Sequence, residues 1–227
     1  MNAPNSNSGQ HVWGYQEGLE NELTQTISGG YTDRLHAEQY GDYNVVTQTA
    51  GATHSTGEVY QDGNSNDAEQ HLHGSNNGYM SARVMIDQFG DNNIAYQDLR
   101  GHGSSHKNHA VIDQDGDLND ASQLVDGRDN TAETAQIGAE NMAETEQDGN
   151  DHNADVMQDG TENYAWAGQI NGDGNDADVD QTGNSNAAYV TQGMIVGYFD
   201  PPYEPTTALA GSNNTGTTSQ NGDENFA

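Results

Sequence analysis

The side chains that could carry chemistry here are carboxylates, imidazoles and amides, and they differ in how regularly they are spaced. The chain of 227 residues has 36 Asp and Glu, nine His and no Cys. Pairs of carboxylates therefore arise easily by chance, and disulfides and thiolate metal sites are excluded. The sequence has no nucleophile elbow, no His-Glu-x-x-His motif and no phosphate-binding loop. It therefore predicts no catalytic residues and no enzyme.

Two groups of residues are candidates for cation binding. The segment Asp115–Asp120 is similar to a calcium loop, but it lacks the Gly at position six and the Glu at position twelve. The second group is a set of His residues in or beside the longer loops of repeats three and four, and clustered imidazoles can bind metal. These are His71, His73, His102, His106 and His109. We interpret them as solvated loop residues and expect no metal site or cofactor, only weak screening of acidic loops by Ca²⁺ or other divalent ions.

The amides, in contrast, follow a strict repeat. The pattern Gln-x-Gly-x-x-Asn-x-(Ala/Val/Leu) occurs nine times, with first Gln residues 23, 22, 27, 26, 22, 22, 23 and 39 positions apart. A unit of this length is typical of a solenoid. The first Gln residues are Gln16, Gln39, Gln61, Gln88, Gln114, Gln136, Gln158, Gln181 and Gln220. The Gly residues are Gly18, Gly41, Gly63, Gly90, Gly116, Gly138, Gly160, Gly183 and Gly222. The Asn residues are Asn21, Asn44, Asn66, Asn93, Asn119, Asn141, Asn163, Asn186 and Asn225.

A second Gln follows the first in eight units, and its position changes once. It lies nine residues on in units one to five, at Gln25, Gln48, Gln70, Gln97 and Gln123. It lies eleven residues on in units six to eight, at Gln147, Gln169 and Gln192. We therefore expect one ladder to end at Gln123 and another to begin beside it.

The pattern within each unit predicts a strand, a tight Gly turn, a second strand and a return loop, in that order. Side chains alternate along a strand, so the positions four and two residues before the first Gln, and seven, nine and eleven residues after it, should face the interior. These five columns contain no Asp, Glu, Lys or Arg in eight units. The sequence thus predicts an all-β, parallel, cross-β solenoid with two strands per turn of about 22 residues and eight to nine turns. Stacked Gln and Asn would bond from turn to turn, as in cross-β fibres. We interpret the amides and glycines as scaffold.

The repeats divide the chain into segments. We expect an N-terminal tail over 1–9 and a solenoid over 10–192, in two blocks of 10–135 and 136–192. A Pro-containing insertion over 193–213 should break the pattern, because Pro cannot donate to a sheet. A final partial repeat over 214–227 would leave an open, half-built turn, which a neighbouring copy could complete.

Composition restricts the partners. The formal net charge is −31, with only five Lys and Arg, so nucleic acid and anionic membrane surfaces are disfavoured. No apolar run approaches the ~20 residues of a membrane-spanning helix. The N-terminal residues lack the features of a secretory signal, so the chain is either cytosolic or a mature form whose leader has been removed.

The repeat resembles the curlin repeat of bacterial curli subunits, most closely in units six to eight. The stretch Gln136-Ile-Gly138-Ala-Glu-Asn141-Met-Ala143-Glu-Thr-Glu-Gln147 is an example, and the resemblance covers 10–192 and 214–227. It implies a secreted extracellular amyloid subunit that polymerises with itself, helped by nucleator and export proteins, in biofilm and adhesive fibres. The alternative function is a monomeric acidic solenoid that acts as an adhesin or ligand-binding module. An enzyme on a β-helix is disfavoured by the thin core.

Overall fold

The computed structural model describes residues 9–29, 32–51, 54–74, 82–101, 107–193, 208–209 and 212–227. Every regular element within these ranges is a β-strand. The strands are β1 (His11–Glu17), β2 (Glu22–Ile27), β3 (Arg34–Tyr40), β4 (Val45–Ala50), β5 (Thr56–Asp62), β6 (Asp67–His73), β7 (Arg83–Phe89), β8 (Ile94–Gly101), β9 (His109–Asp117), β10 (Asp120–Arg128), β11 (Thr131–Ala139), β12 (Met142–Asn150), β13 (Asn153–Thr161), β14 (Tyr164–Asp173), β15 (Asp176–Asn184), β16 (Ala187–Gly193), β17 (Ala208–Leu209) and β18 (Thr215–Asn221).

The strands form two parallel sheets that face each other. The first sheet has the order β1-β3-β5-β7-β9-β11-β13-β15-β18, and the second has the order β17-β16-β14-β12-β10-β8-β6-β4-β2. From β1 to β16, consecutive strands thus alternate between the sheets as the chain winds forward one rung per turn. The predicted all-β parallel solenoid is confirmed. Among the described residues there is no helix that is long and apolar enough to cross a membrane.

The register places equivalent repeat positions side by side. Gln16 pairs with Gln39, and Gln61 pairs with Gln88 although 27 residues separate them. The additional residues of the longer units therefore lie in return loops and leave the strands in register. Parallel strands at ~4.8 Å spacing then place like residues directly above one another.

The number of regular turns is slightly lower than predicted. Seven returns lead from the second sheet back to the first, from β2 to β3 through β14 to β15, and the longest of them lie between β6 and β7 and between β8 and β9. The next return, from β16 to β18, joins strand ends 22 positions apart, and most of its residues lie outside the described ranges. The solenoid therefore has about seven regular turns, rather than eight to nine.

The core is a narrow column between the sheets. Inward positions alternate with outward ones along each strand, as the buried and exposed positions of β3 to β16 demonstrate. Small apolar residues alternate there with buried Gln and Asn. The first turn differs, because Val12 and Leu23 on β1 and β2 have no strand beyond them among the described residues, and Val12 is 52% exposed.

Two short segments continue the second sheet after β16. Ala208 and Leu209 pair with Thr191 and Gln192, while Phe226 bridges to Ala187. The prolines predicted to interrupt the sheet (201, 202 and 205), the tail 1–8 and most of 193–213 lie outside the described residues. The predicted segment boundaries therefore stay predictions.

Candidate functional site

An unbroken ladder of Gln side chains runs through the first sheet. Each amide Nε2 donates to the Oε1 of the Gln in the next turn, at 2.7–3.0 Å, from Gln16 to Gln220. Gln39 through Gln181 are fully buried. Burying an amide is costly unless its donors and acceptor are paired, and the ladder provides that pairing. All eight bonds run in the same direction, so the ladder has a polarity.

The same amides also join the two sheets. The second N–H of Gln39 donates to the carbonyl oxygen of Glu22 at 3.1 Å, and that of Gln136 to Asp120 at 3.0 Å. Equivalent bonds occur in the other turns from the second onward. The Gln residues therefore hold the sheets at a fixed distance where the apolar side chains are as small as Ala.

The repeat Asn forms a second ladder at the first corner, the turn between the two strands of a unit. Asn119 Nδ2 donates to Asn93 Oδ1 at 3.2 Å and to the carbonyl of Gly138 at 3.0 Å. Asn119 Oδ1 accepts from the backbone N–H of Asn141 at 3.1 Å. Each Asn side chain thus replaces the backbone partners that a sharp corner removes.

The repeat Gly is required at this corner for two reasons. Gly138 has φ +111°, which disfavours any residue with a Cβ. A Cβ on Gly138 would also overlap the carbonyl oxygen of Gly160 in the next turn. Stacking of the corners at strand spacing therefore leaves no room for a side chain.

The second Gln ladder shifts between turns five and six. Gln25, Gln48, Gln70, Gln97 and Gln123 are bonded in series. Gln123 then stands opposite Thr145, so its Nε2 donates to Thr134 Oγ1 and to backbone carbonyls. The new series Gln147, Gln169 and Gln192 begins one inward position later. Gln147 Oε1 is buried and has no hydrogen-bond donor among the described residues, because Val125 lies above it.

The return corner, which leads from the second sheet to the first, carries a ladder that the sequence analysis missed. Asn130 N–H donates to Asn108 Oδ1, and Asn130 Nδ2 donates to the carbonyl of Gly149. The series continues through His152, Asn175 and Asn214. The signal was present in the sequence, because Gly127 precedes Asn130 by three residues, as at the first corner.

Two members of this return-corner column are titratable and buried. Burial lowers the pKa of His152, whose Nδ1 accepts from the backbone of Asn175 while Nε2 has no bond within the described chain. Burial raises the pKa of Asp33, against the opposing effect of the Ser55 N–H that its Oδ1 accepts at 2.9 Å. His152 and Asp33 thus stand in a column where other turns have an uncharged Asn side chain.

Of the candidate metal ligands, His71 and His73 stack with ring centroids 5.9 Å apart, but His109 does not join them. His71 and His73 lie on β6 in the second sheet, whereas His109 lies on β9 in the first. His102 and His106 fall outside the described residues. Throughout the described ranges, no group of three or more His, Asp or Glu is placed to hold a metal ion.

The segment similar to a calcium loop is part of the first corner. Asp117 Oδ1 accepts the backbone N–H of Asp91 at 2.8 Å. Its neighbour Asn119 belongs to the Asn ladder. These oxygens therefore bond to the adjacent turn of the solenoid.

The comparisons with known proteins agree with this architecture. The family model of the curlin associated repeat matches three overlapping stretches, 127–160, 153–183 and 172–197. No curated protein matches the chain. The stretches span turns in which the first corner carries Gly-x-x-Asn and the return corner carries Gly-x-x-Asn or, at Gly149–His152, Gly-x-x-His. Residues 127–197 of the chain therefore match the curlin associated repeat.

Proposed function

We propose that the chain is a structural subunit of an extracellular curli-like fibre, in which copies stack head to tail and support biofilm matrix and adhesion. The observation that carries this proposal is the single polarity of the Gln ladder. Gln16 donates into the ladder and Gln220 accepts from it. A copy placed with its Gln16 after Gln220 would extend the same sequence of donors and acceptors.

The end turns support this stacking. β1 and β18 each pair with only one strand of the described part of the chain, β3 and β15 respectively. An unpaired strand edge is a template for another strand. Asn225 would meet Asn21 in the same register, so the first-corner ladder would also continue. Because addition at one end never closes a ring, this contact generates a filament.

The proposed role is structural rather than enzymatic, and its partners would be other copies of the chain. A nucleator and export proteins would start and deliver the fibre. The acidic outer surface would keep unassembled chains apart, because like charges repel. The acidic surface also disfavours nucleic acid as a partner and insertion into a membrane.

The test is assembly of the purified chain. Incubation at moderate salt should give filaments by electron microscopy, with a ~4.8 Å meridional reflection from stacked strands. A chain that stays dispersed and monomeric would contradict the fibre and favour the monomeric binding module.

A matched pair of variants tests the docking face. Val12→Lys places a charge on the inward column of β1, where Val12 is exposed in the single chain but would be buried by the next copy. Leu19→Lys makes the same charge change at the exposed first corner, where Leu19 is 66% exposed. Only Val12→Lys should abolish filaments, and equal assembly of the two variants would reject β1 as the docking edge.

A further inference from the structure

The outer face of the first sheet carries a row of aromatic rings over turns one to four. Tyr15, Tyr40, Tyr60 and Phe89 follow one another with ring centroids 5.6, 5.6 and 5.3 Å apart. The rings alternate between two neighbouring outward columns, one on either side of the ladder Gln. We call these four residues the aromatic row. They form a continuous apolar stripe along the solenoid axis.

Carboxylates occupy the positions that the rings leave free. Within the same two columns stand Glu17, Glu38, Asp62 and Asp87. Each strand therefore presents one ring and one carboxylate two residues apart, about 7 Å along the strand. Tyr15 Oη donates to Glu17 Oε2 at 3.0 Å, and Tyr40 Oη donates to Glu38 Oε2 at 3.1 Å.

Within the described ranges, few cations lie beside this surface. His36 Nε2 lies 3.2 Å from Glu38 Oε1, and Arg83 bonds to Glu58 in the adjacent outward column. Burial and the neighbouring Asp113 and Glu58 raise the pKa of Asp87, so a cation beside this carboxylate would be favourable. An aromatic stripe bordered by carboxylates therefore suits a partner that is both cationic and able to stack.

The second sheet contains the same pairing with its cation in place. Tyr96 and Asp98 are two residues apart on β8, and the Arg100 guanidinium donates to Asp98 Oδ2 through Nε at 3.1 Å and Nη2 at 2.6 Å. The Asp98 side chain is only 4% exposed. The chain itself thus places a guanidinium on the carboxylate of a ring-and-carboxylate pair of this spacing.

We propose that the aromatic row and its carboxylates form a docking surface for an extended, arginine-rich polypeptide. A guanidinium stacks on aromatic faces and bonds carboxylates with a planar fork, whereas an ammonium is a compact, strongly hydrated charge. A second copy of this chain is a poor occupant, because each copy has a formal charge of −31. Turns five to eight of the same face have no aromatic residue in these two columns, so the site is confined to the first four turns.

The experiment uses the unassembled chain, so its outcome does not depend on fibre formation. The probe is an acetylated, amidated tetra-arginine peptide at 150 mM NaCl, with tetra-lysine as its comparison. Binding is followed by fluorescence of Trp13, which lies 6.5 Å from Tyr15, in a Trp166→Phe background that removes the other indole.

The surface predicts that tetra-arginine binds more tightly than tetra-lysine. Tyr40→Thr/Tyr60→Thr should weaken tetra-arginine binding about tenfold, through the loss of two stacking faces. Tyr164→Thr/Tyr189→Thr removes a tilted tyrosine pair, with ring centroids 5.4 Å apart, from the second sheet and should leave binding unchanged. Glu38→Gln/Asp62→Asn keeps the rings and removes two carboxylates, and it should also weaken tetra-arginine binding. This variant tests the surface even where the Tyr variant folds poorly.

Three results would overturn the proposal. Equal binding of the two peptides would indicate diffuse attraction to an acidic protein. Unchanged binding by both first-sheet variants in their folded form would place the peptide elsewhere. Self-association of the chain that disappears in Tyr40→Thr/Tyr60→Thr would identify a second copy as the occupant.

Discussion

The two corners of each turn perform the same task with different regularity. The first corner has Gly and Asn in every turn, and its Asn side chains are bonded from one turn to the next. The return corner uses Asp33, Ser55 and Ala82 in turns two to four. It changes to Asn108 and Asn130 in the following turns. Only the later turns therefore have side-chain ladders at both corners, with His152 as the one member among Asn108, Asn130, His152 and Asn175 that is not an amide.

This difference explains where the family model matches. The matched region begins at residue 127, and among the described residues Gly127 is the first return-corner Gly with the geometry of the first corner, with φ +122° and Asp129 at +57°. The earlier turns keep the solenoid with one regular corner and longer loops at the other. One amide ladder at the corners is thus sufficient for the winding, while the compact repeat has a ladder at each corner.

The largest expected effect comes from deleting an amide at the regular corner. Asn119→Ala removes the partners of the Gly138 carbonyl and of the Asn141 N–H. Two buried groups left unpaired should lower the free energy of unfolding by about 2–5 kcal/mol. Denaturant titration followed by circular dichroism measures this loss.

Ser55→Ala is the matched deletion at the irregular corner. The Ser55 side chain is buried, and its Oγ has no hydrogen-bond partner in the described residues. Its removal should change the free energy of unfolding by less than about 0.5 kcal/mol. Equal losses for Asn119→Ala and Ser55→Ala would refute the distinction between the corners.

The next effect tests the backbone of the regular corner. Gly138→Ala combines an unfavourable positive φ with overlap of the Gly160 carbonyl, and should destabilise by about 2 kcal/mol or more. Gly29→Ala is the control, because a Cβ there has its nearest neighbour, the Gly51 carbonyl oxygen, at 3.8 Å. Thermal unfolding midpoints should fall for Gly138→Ala alone, and similar midpoints would argue against tight stacking at the corner.

Most of the fold could be predicted from the sequence because its interior is periodic. The shift from Gln123 to Gln147 was visible as a change of spacing from nine to eleven, and the structure places both in the second sheet. The return-corner ladder was missed because its column contains Asp, Ser, Ala, Asn and His. No single residue type defines it, and the shared backbone conformation is visible only in three dimensions. The aromatic row was also not predicted from the sequence, because its members occupy two different columns.

The return corner also predicts a pH response at His152. Because burial lowers the pKa of this His in the folded chain, the unfolded chain binds more protons below the unfolded value of about 6.5. The native state should lose up to about 1.4 kcal/mol at pH 5.5 from this group. His152→Asn should remove that part of the decline, as measured by unfolding at pH 7.5 and 5.5. An identical pH dependence in the variant would indicate that His152 is not buried in its neutral form.

The smallest expected effect has the opposite sign and lies at the same kind of corner. Burial raises the pKa of Asp33 in the folded chain, so the folded state binds more protons than the unfolded state as pH falls through the raised pKa. This carboxyl therefore makes the folded chain more stable as pH falls toward 3.8, its ordinary value, and less stable at neutral pH, where it is buried in its charged form.

Asp33→Asn keeps an oxygen to accept the Ser55 N–H and adds a donor, as Asn130 has at the regular return corners. The variant should gain about 1 kcal/mol at pH 7 and lose the gain on acidification. Reduced stability of Asp33→Asn at pH 7 would mean that the charge of Asp33 is itself bonded in the native corner, and that early and late return corners differ in chemistry as well as in regularity.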